Sequence, residues 1–140
     1  MQVLTKEMLQ KYQRKTAEIE VPELSGVVVV REMSGVERSR MEEEVFKHID
    51  KSTGGFKNVE GIHALRLLLV KMCVIDDRGN PLFSDKDDEF ISSLGSALIE
   101  KITDKASELS GIDSLGRKKF PKDFFSKGNP NSSGSGSQDR

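Results

Sequence analysis

Apolar positions along this chain change their spacing repeatedly, and the densest of them fall between residues 65 and 94. Leu65, Leu67, Leu68, Leu69, Val70, Met72, Cys73, Val74 and Ile75 form a run that is apolar on nearly every side. All-round apolarity marks a helix at the centre of a core rather than one on a surface. A buried strand is the competing reading, because a short apolar run is ambiguous by period. Ala64 and the leucines favour a helix starting near Gly61, with Val74 and Ile75 free to be extended already.

Upstream, Thr5 is placed to cap a short helix through about Tyr12, with Met8, Leu9 and Tyr12 on one side. The period then becomes two. Ala17, Ile19 and Val21 alternate with Glu18 and Glu20, the pattern of a half-buried strand. Pro22 ends it, residues 23–26 turn, and the β-branched residues Val27 to Val30 begin a second strand. The spacing predicts a hairpin of 16–22 and 27–33. A lone hairpin is marginal in water, so it must lie on the helices or on another strand.

Ser34 and Glu37 have the spacing of a capping box. The helix they open runs to about Asp50, with Met41, Val45 and Ile49 in line, Phe46 beside them, and Glu42, Glu43 and Lys47 opposite. Residues 52–55 break it, and 56–60 read as a loop or a poor strand. After the apolar run, Asp76 and Asp77 open a turn in which Gly79 can take a positive φ and Pro81 prevents helix continuation. Leu82 and Phe83 form a short apolar anchor. Ser84 then offers a cap, and Asp85, Asp87, Asp88 and Glu89 load a first helical turn with the charge its dipole favours. Phe90, Ile91, Leu94, Leu98, Ile102, Ala106 and Leu109 make one helical stripe, weakened at Gly95 and stopped at Gly111.

The expected fold is therefore α+β: a mostly helical single domain over 1–112, with an N-terminal β-hairpin packed on about three helices. A basic aromatic segment follows at 113–127, and the Ser/Gly/Asn-rich stretch 128–140 reads as a disordered tail.

Composition narrows the function. The chain of 140 residues carries 23 acidic and 22 basic side chains, a net charge of −1. No global field steers it to nucleic acid or to an anionic membrane. The N-terminus lacks the apolar core of a signal peptide. The 62–75 run is too short, and too interrupted by His63, Arg66 and Lys71, to cross a bilayer. A cytoplasmic protein is expected. The single cysteine, Cys73, rules out a disulfide within the chain and reads as a small core residue.

Candidate chemistry is sparse. The acids at 85–89 are the right donors for a hard cation, but helix-start charge explains them, and a calcium-loop template counted from Asp76 fails at Arg78 and Pro81. His48 and His63 have no partner at zinc-ligand spacing. No nucleophile elbow, phosphate-binding loop or dinucleotide fingerprint is present. The expectation is no cofactor, no metal and no enzymatic activity. Residues 117–127 leave three readings open. Phe120, Phe124 and Phe125 stack on bases beside basic side chains, dock a protein partner, or fold back onto the domain.

The order of these segments resembles the tail assembly chaperones of long-tailed bacteriophages and prophages. The resemblance lies in Leu4-Thr5-Lys6-Glu7, in Arg31-Glu32-Met33-Ser34-Gly35-Val36-Glu37 after a strand pair, and in the apolar helix running into Asp76 to Asp88. It covers about residues 3 to 112 and rests on order and spacing, since each motif alone is turn or cap chemistry. It implies a non-enzymatic assembly factor of the infected host's cytoplasm, absent from the mature virion. Its partners would be the tape-measure protein, which it keeps soluble, and tail-tube subunits, which it helps to gather. It also implies a longer product made by ribosomal frameshifting, for which Lys118-Lys119 mark one place a slippery run would be encoded. Phe120, Phe124 and Phe125 are the partner-binding residues expected on this reading. A structural virion adaptor and a small nucleic-acid-binding regulator are the alternatives.

Overall fold

The structure, a computed structural model, describes residues 1–112. The apolar run is a helix, α3 (Val59–Cys73), that passes without a loop into a two-residue strand, β3 (Val74–Ile75). Leu65, Leu69, Val70, Cys73 and Val74 are all at most 1% exposed, so this segment is the centre of the core. Asn58 caps α3 by accepting from the Gly61 amide at 3.1 Å.

The hairpin is present as β1 (Thr16–Val21) and β2 (Gly26–Arg31), paired antiparallel with Ile19 opposite Val28. It does not stand alone on the helices. β3 adds antiparallel to β2, with Val30 opposite Val74, and the result is a three-stranded sheet in the order β1-β2-β3. Ser25 takes a left-handed conformation at the turn.

Short α1 (Lys6–Leu9) precedes the sheet, capped by Thr5 at the predicted position but ending before Tyr12. Its apolar side chains Met8 and Leu9 stay exposed. α2 (Gly35–His48) opens on the predicted box: Ser34 Oγ accepts from the Glu37 amide at 3.2 Å, and Glu37 accepts from the Ser34 amide at 3.0 Å. Met41 and Val45 are buried against α3, whereas Phe46 is 76% exposed. Phe46 was expected beside the buried stripe. It sits one residue past Val45, about 100° around the helix, and faces away.

The predicted single helix over 85–110 is two. A 3₁₀ turn (Asp85–Asp87) leads into α4 (Asp88–Ser93), and α5 (Ser96–Leu109) follows. Leu94 is extended, with ψ at 155°, and the Gly95 carbonyl accepts from Leu98 and Ile99 to start α5. Glycine is a poor interior helix residue, so the stripe breaks there. α5 lies across β1 and β2, with α3 between it and α2. Its buried face is Ile102, Thr103, Ala106 and Ser107. The two hydroxyls bond their own helix, Ser107 Oγ donating to the Thr103 carbonyl at 2.9 Å.

Gly111 ends α5 at φ 82°. The Ile112 amide reaches back to the Ser107 carbonyl at 2.8 Å and the Gly111 amide to Glu108 at 3.2 Å, the paired bonds of a Schellman cap. Ile112 is fully buried.

Candidate partner-binding cleft

The break at Leu94 and Gly95 swings α4 away from the line of α5 and opens a cleft against α3. His63, Arg66 and Leu67 line it from α3, Ile91 and Ser92 from α4, Leu94 from the link, and Ser96, Ile99 and Glu100 from α5. Its volume is about 310 Å³. Ile91 is buried at the floor, Leu67, Leu94 and Ile99 are half-buried, and the rim is polar. An apolar floor with a polar rim is the form of a site that receives an apolar anchor.

The α4 wall is fixed by side-chain chemistry. Lys71, mostly buried at the end of α3, holds Asp85 at 3.0 Å and Asp88 at 2.8 Å, and so ties the start of α4 to the core helix. Partial burial works against the Lys71 charge, but the bonds to Asp88 and Asp85 outweigh it, and its pKa lies above the usual lysine value. Phe83 packs on Phe90 with ring centroids 6.0 Å apart, a tilted pair on the outer side of α4.

On the rim, His63 Nε2 lies 2.9 Å from Ser92 Oγ. The hydroxyl donates its one proton to the Asp88 carbonyl at 2.8 Å, so the imidazole is the donor to Ser92. That polarity is opposite to the one in which a histidine activates a serine.

The other chemical candidates resolve as structure. Cys73 is fully buried, and burial first, then the nearby Glu37 charge, pushes its thiol up to about 12. His48 is bonded to Glu44 at 3.1 Å. The acids at 85–89 are helix-start groups, two of them paired with Lys71. Among the described residues no group of three or more His, Cys, Asp or Glu is placed to hold a metal ion. None of their helices is long and apolar enough to cross a membrane. The predicted docking residues Phe120, Phe124 and Phe125, with the rest of 113–140, lie outside the described residues.

The cleft was only partly foreseeable. Exposed faces of the core helix and of the 85–110 stretch are its two sides, but the wall at Leu94 exists because the second helix is broken. Gly95 was the one signal for that.

The architecture is thus an α+β domain, a three-stranded antiparallel sheet covered by helices, with an open cleft of mixed polar and apolar lining between α3, α4 and α5. No protein-family model matches the sequence, and no curated protein matches it. Among solved structures the chain is similar to that of the bacteriophage HK97 tail assembly chaperone, at 22% identity and a TM-score of 0.49, over 74% of this chain and 90% of that one.

Proposed function

We infer that this protein is a phage tail assembly chaperone. It binds the tape-measure protein in the host cytoplasm, keeps it soluble, helps to gather tail-tube subunits around it, and leaves before the virion is complete. It acts by binding alone. The observation that carries this reading is the open cleft with Leu67, Leu94 and Ile99 on its walls. A long helical partner offers apolar side chains at i, i+3, i+4 and i+7, and a short apolar groove with a polar rim takes a few of them at a time. Modest affinity follows from so small a site, which suits a shield that must later be released. The order of sequence motifs over residues 3 to 112 supports the same reading. Phe120, Phe124 and Phe125 supply a second, weaker contact that raises the effective concentration at the first.

Two experiments separate this from its rivals. Mass spectrometry of purified particles should lack the chain; a stoichiometric amount would make it a structural component instead. Replacing Phe120, Phe124 and Phe125 with Ser should weaken capture of the tape-measure protein and leave the thermal midpoint in place. A large fall in the midpoint would show that the three rings belong to the domain's own packing.

A further inference from the structure

One edge of the sheet is open. β1 is an outermost strand, paired with β2 alone. The Glu32 amide donates to the Lys15 carbonyl at 2.8 Å. Facing residues of an antiparallel ladder alternate between bonded and non-bonded positions. With Lys15 and Glu32 at a bonded position, Ala17, Ile19 and Val21 turn their backbone groups to β2, and Thr16, Glu18 and Glu20 turn theirs outward. No backbone group of the described residues bonds that outward row. The side chains of Glu18 and Glu20 stand on the exposed face of the sheet, opposite Val29 and Val27. Neither carboxylate is in an ion pair among the described residues.

We propose that residues 116–120 of the same chain, which lie outside the described residues, add to this edge as a fourth strand parallel to β1, with Arg117 beside Glu18 and Lys119 beside Glu20. The chain leaves the described domain at the end of the sheet where such a strand would begin. Ser110 Oγ accepts from the Met33 amide at 2.9 Å, and Arg38 donates to the Ser110 carbonyl at 3.2 Å. The end of α5 is thereby pinned two residues past Arg31, which stands opposite Thr16. Two strand spacings are about 10 Å, and the five residues from Ile112 to Arg117 span up to about 17 Å. A segment entering at the Thr16 end runs parallel to β1. Charge fixes its register. Arg117 and Lys119 alternate with the same period of two as Glu18 and Glu20, so both opposite pairs fall on one face. The backbone fits the same register. In a parallel ladder each outward residue donates to the residue before its neighbour and accepts from the residue after it. Glu18 then donates to the Gly116 carbonyl and accepts from the Lys118 amide, and Glu20 donates to the Lys118 carbonyl and accepts from the Phe120 amide. Pro121, which has no amide, comes one residue after the last donor needed. A second copy of β1 on this edge would set carboxylate beside carboxylate, so like charge disfavours it. The added strand closes an edge that would otherwise be open to foreign strands. It calls on the backbone of Phe120, not its ring, and does not depend on the chaperone reading.

The test is amide hydrogen exchange, followed by NMR on the full chain. Ala17 and Ile19 bond β2 and should be protected whatever the edge does, so they report folding separately. Glu18 and Glu20 should be protected as well, which the described residues alone do not provide. Arg117→Glu combined with Lys119→Glu should speed exchange at Glu18 and Glu20 at least several-fold and leave Ala17 and Ile19 unchanged. Lys118→Pro removes the amide that the Glu18 carbonyl needs and keeps both flanking charges, and it should do the same. Fast exchange at Glu18 and Glu20 in the parent chain would overturn the proposal, and so would protection that either variant keeps. Protection that grows with protein concentration would also overturn it, because the edge would then be held by another copy.

Discussion

Gly61 lies directly against the His48 side chain. A methyl group on Gly61 would stand 2.5 Å from His48 Cβ and 2.7 Å from its Cγ, far inside van der Waals contact. This is where the last turn of α2 meets the first turn of α3. The absence of a side chain at Gly61 is what lets the two helices close. Gly61→Ala should cost about 1–3 kcal/mol, the usual range for overpacking, although alanine is the better helix former. Urea denaturation measures it. Adding His48→Gly should recover part of the loss, because the clash is with the histidine Cβ and Cγ.

Cys73 should make the fold sensitive to alkali. Its thiol is raised from 9.0 to about 12 in the folded chain, so the unfolded chain ionises first. The contribution is whole below the unfolded value and is lost as pH rises through that window. Lys71, also raised, should lose its hold on Asp85 and Asp88 above the ordinary lysine range. The urea midpoint should therefore fall steeply above about pH 9, where a free thiol ionises. Cys73→Ala will be less stable at neutral pH because of the cavity it leaves, but its midpoint should fall less steeply with pH. Equal slopes for the two chains would remove Cys73 from the explanation.

Tyr12 offers a second titration with its own signal, since the chain has one tyrosine and no tryptophan. Its hydroxyl donates to Glu32 Oε1 at 2.8 Å, and the same oxygen accepts from the Lys15 amide at 2.9 Å. The bond to Glu32, with that residue's charge, raises the phenol pKa. The Lys15 amide and then the Tyr12 hydroxyl lower that of Glu32. Ultraviolet absorbance at alkaline pH should place Tyr12 above free tyrosine, and Glu32→Gln should bring it down. A phenol that titrates at the free value in the parent chain would mean that residues 12–15 are not held against the end of β2.

Much of this fold could be read locally. The Ser34 and Glu37 box, the alternation at Ala17, Ile19 and Val21, and the positive φ at Gly79 and Gly111 all lie where the sequence puts them. Each is decided within a few residues, by a hydrogen bond or by a steric limit on φ. What was not legible depends on partners far along the chain. Val74 and Ile75 could be read as extended, but nothing nearby says that they pair with Val30 and Val29. Phe56 lies in a stretch that reads as a loop and is nevertheless 4% exposed. Phe46 and Phe90 are apolar and exposed, because ring and helix phase disagree with the core around them. The cleft depends on the stop at Leu94, which extends a residue that belongs to the helical stripe by period alone.

Whether the chain shields a longer companion is read most directly by co-expressing it with the tape-measure protein and weighing that protein in supernatant and pellet. Most of the tape-measure protein should move to the supernatant when the chain is present. It should return to the pellet when Leu67 and Leu94 are both replaced with Ser in a chain that remains folded. A pellet unchanged by the parent chain, or rescue by the double variant equal to the parent's, would contradict a function carried by the cleft.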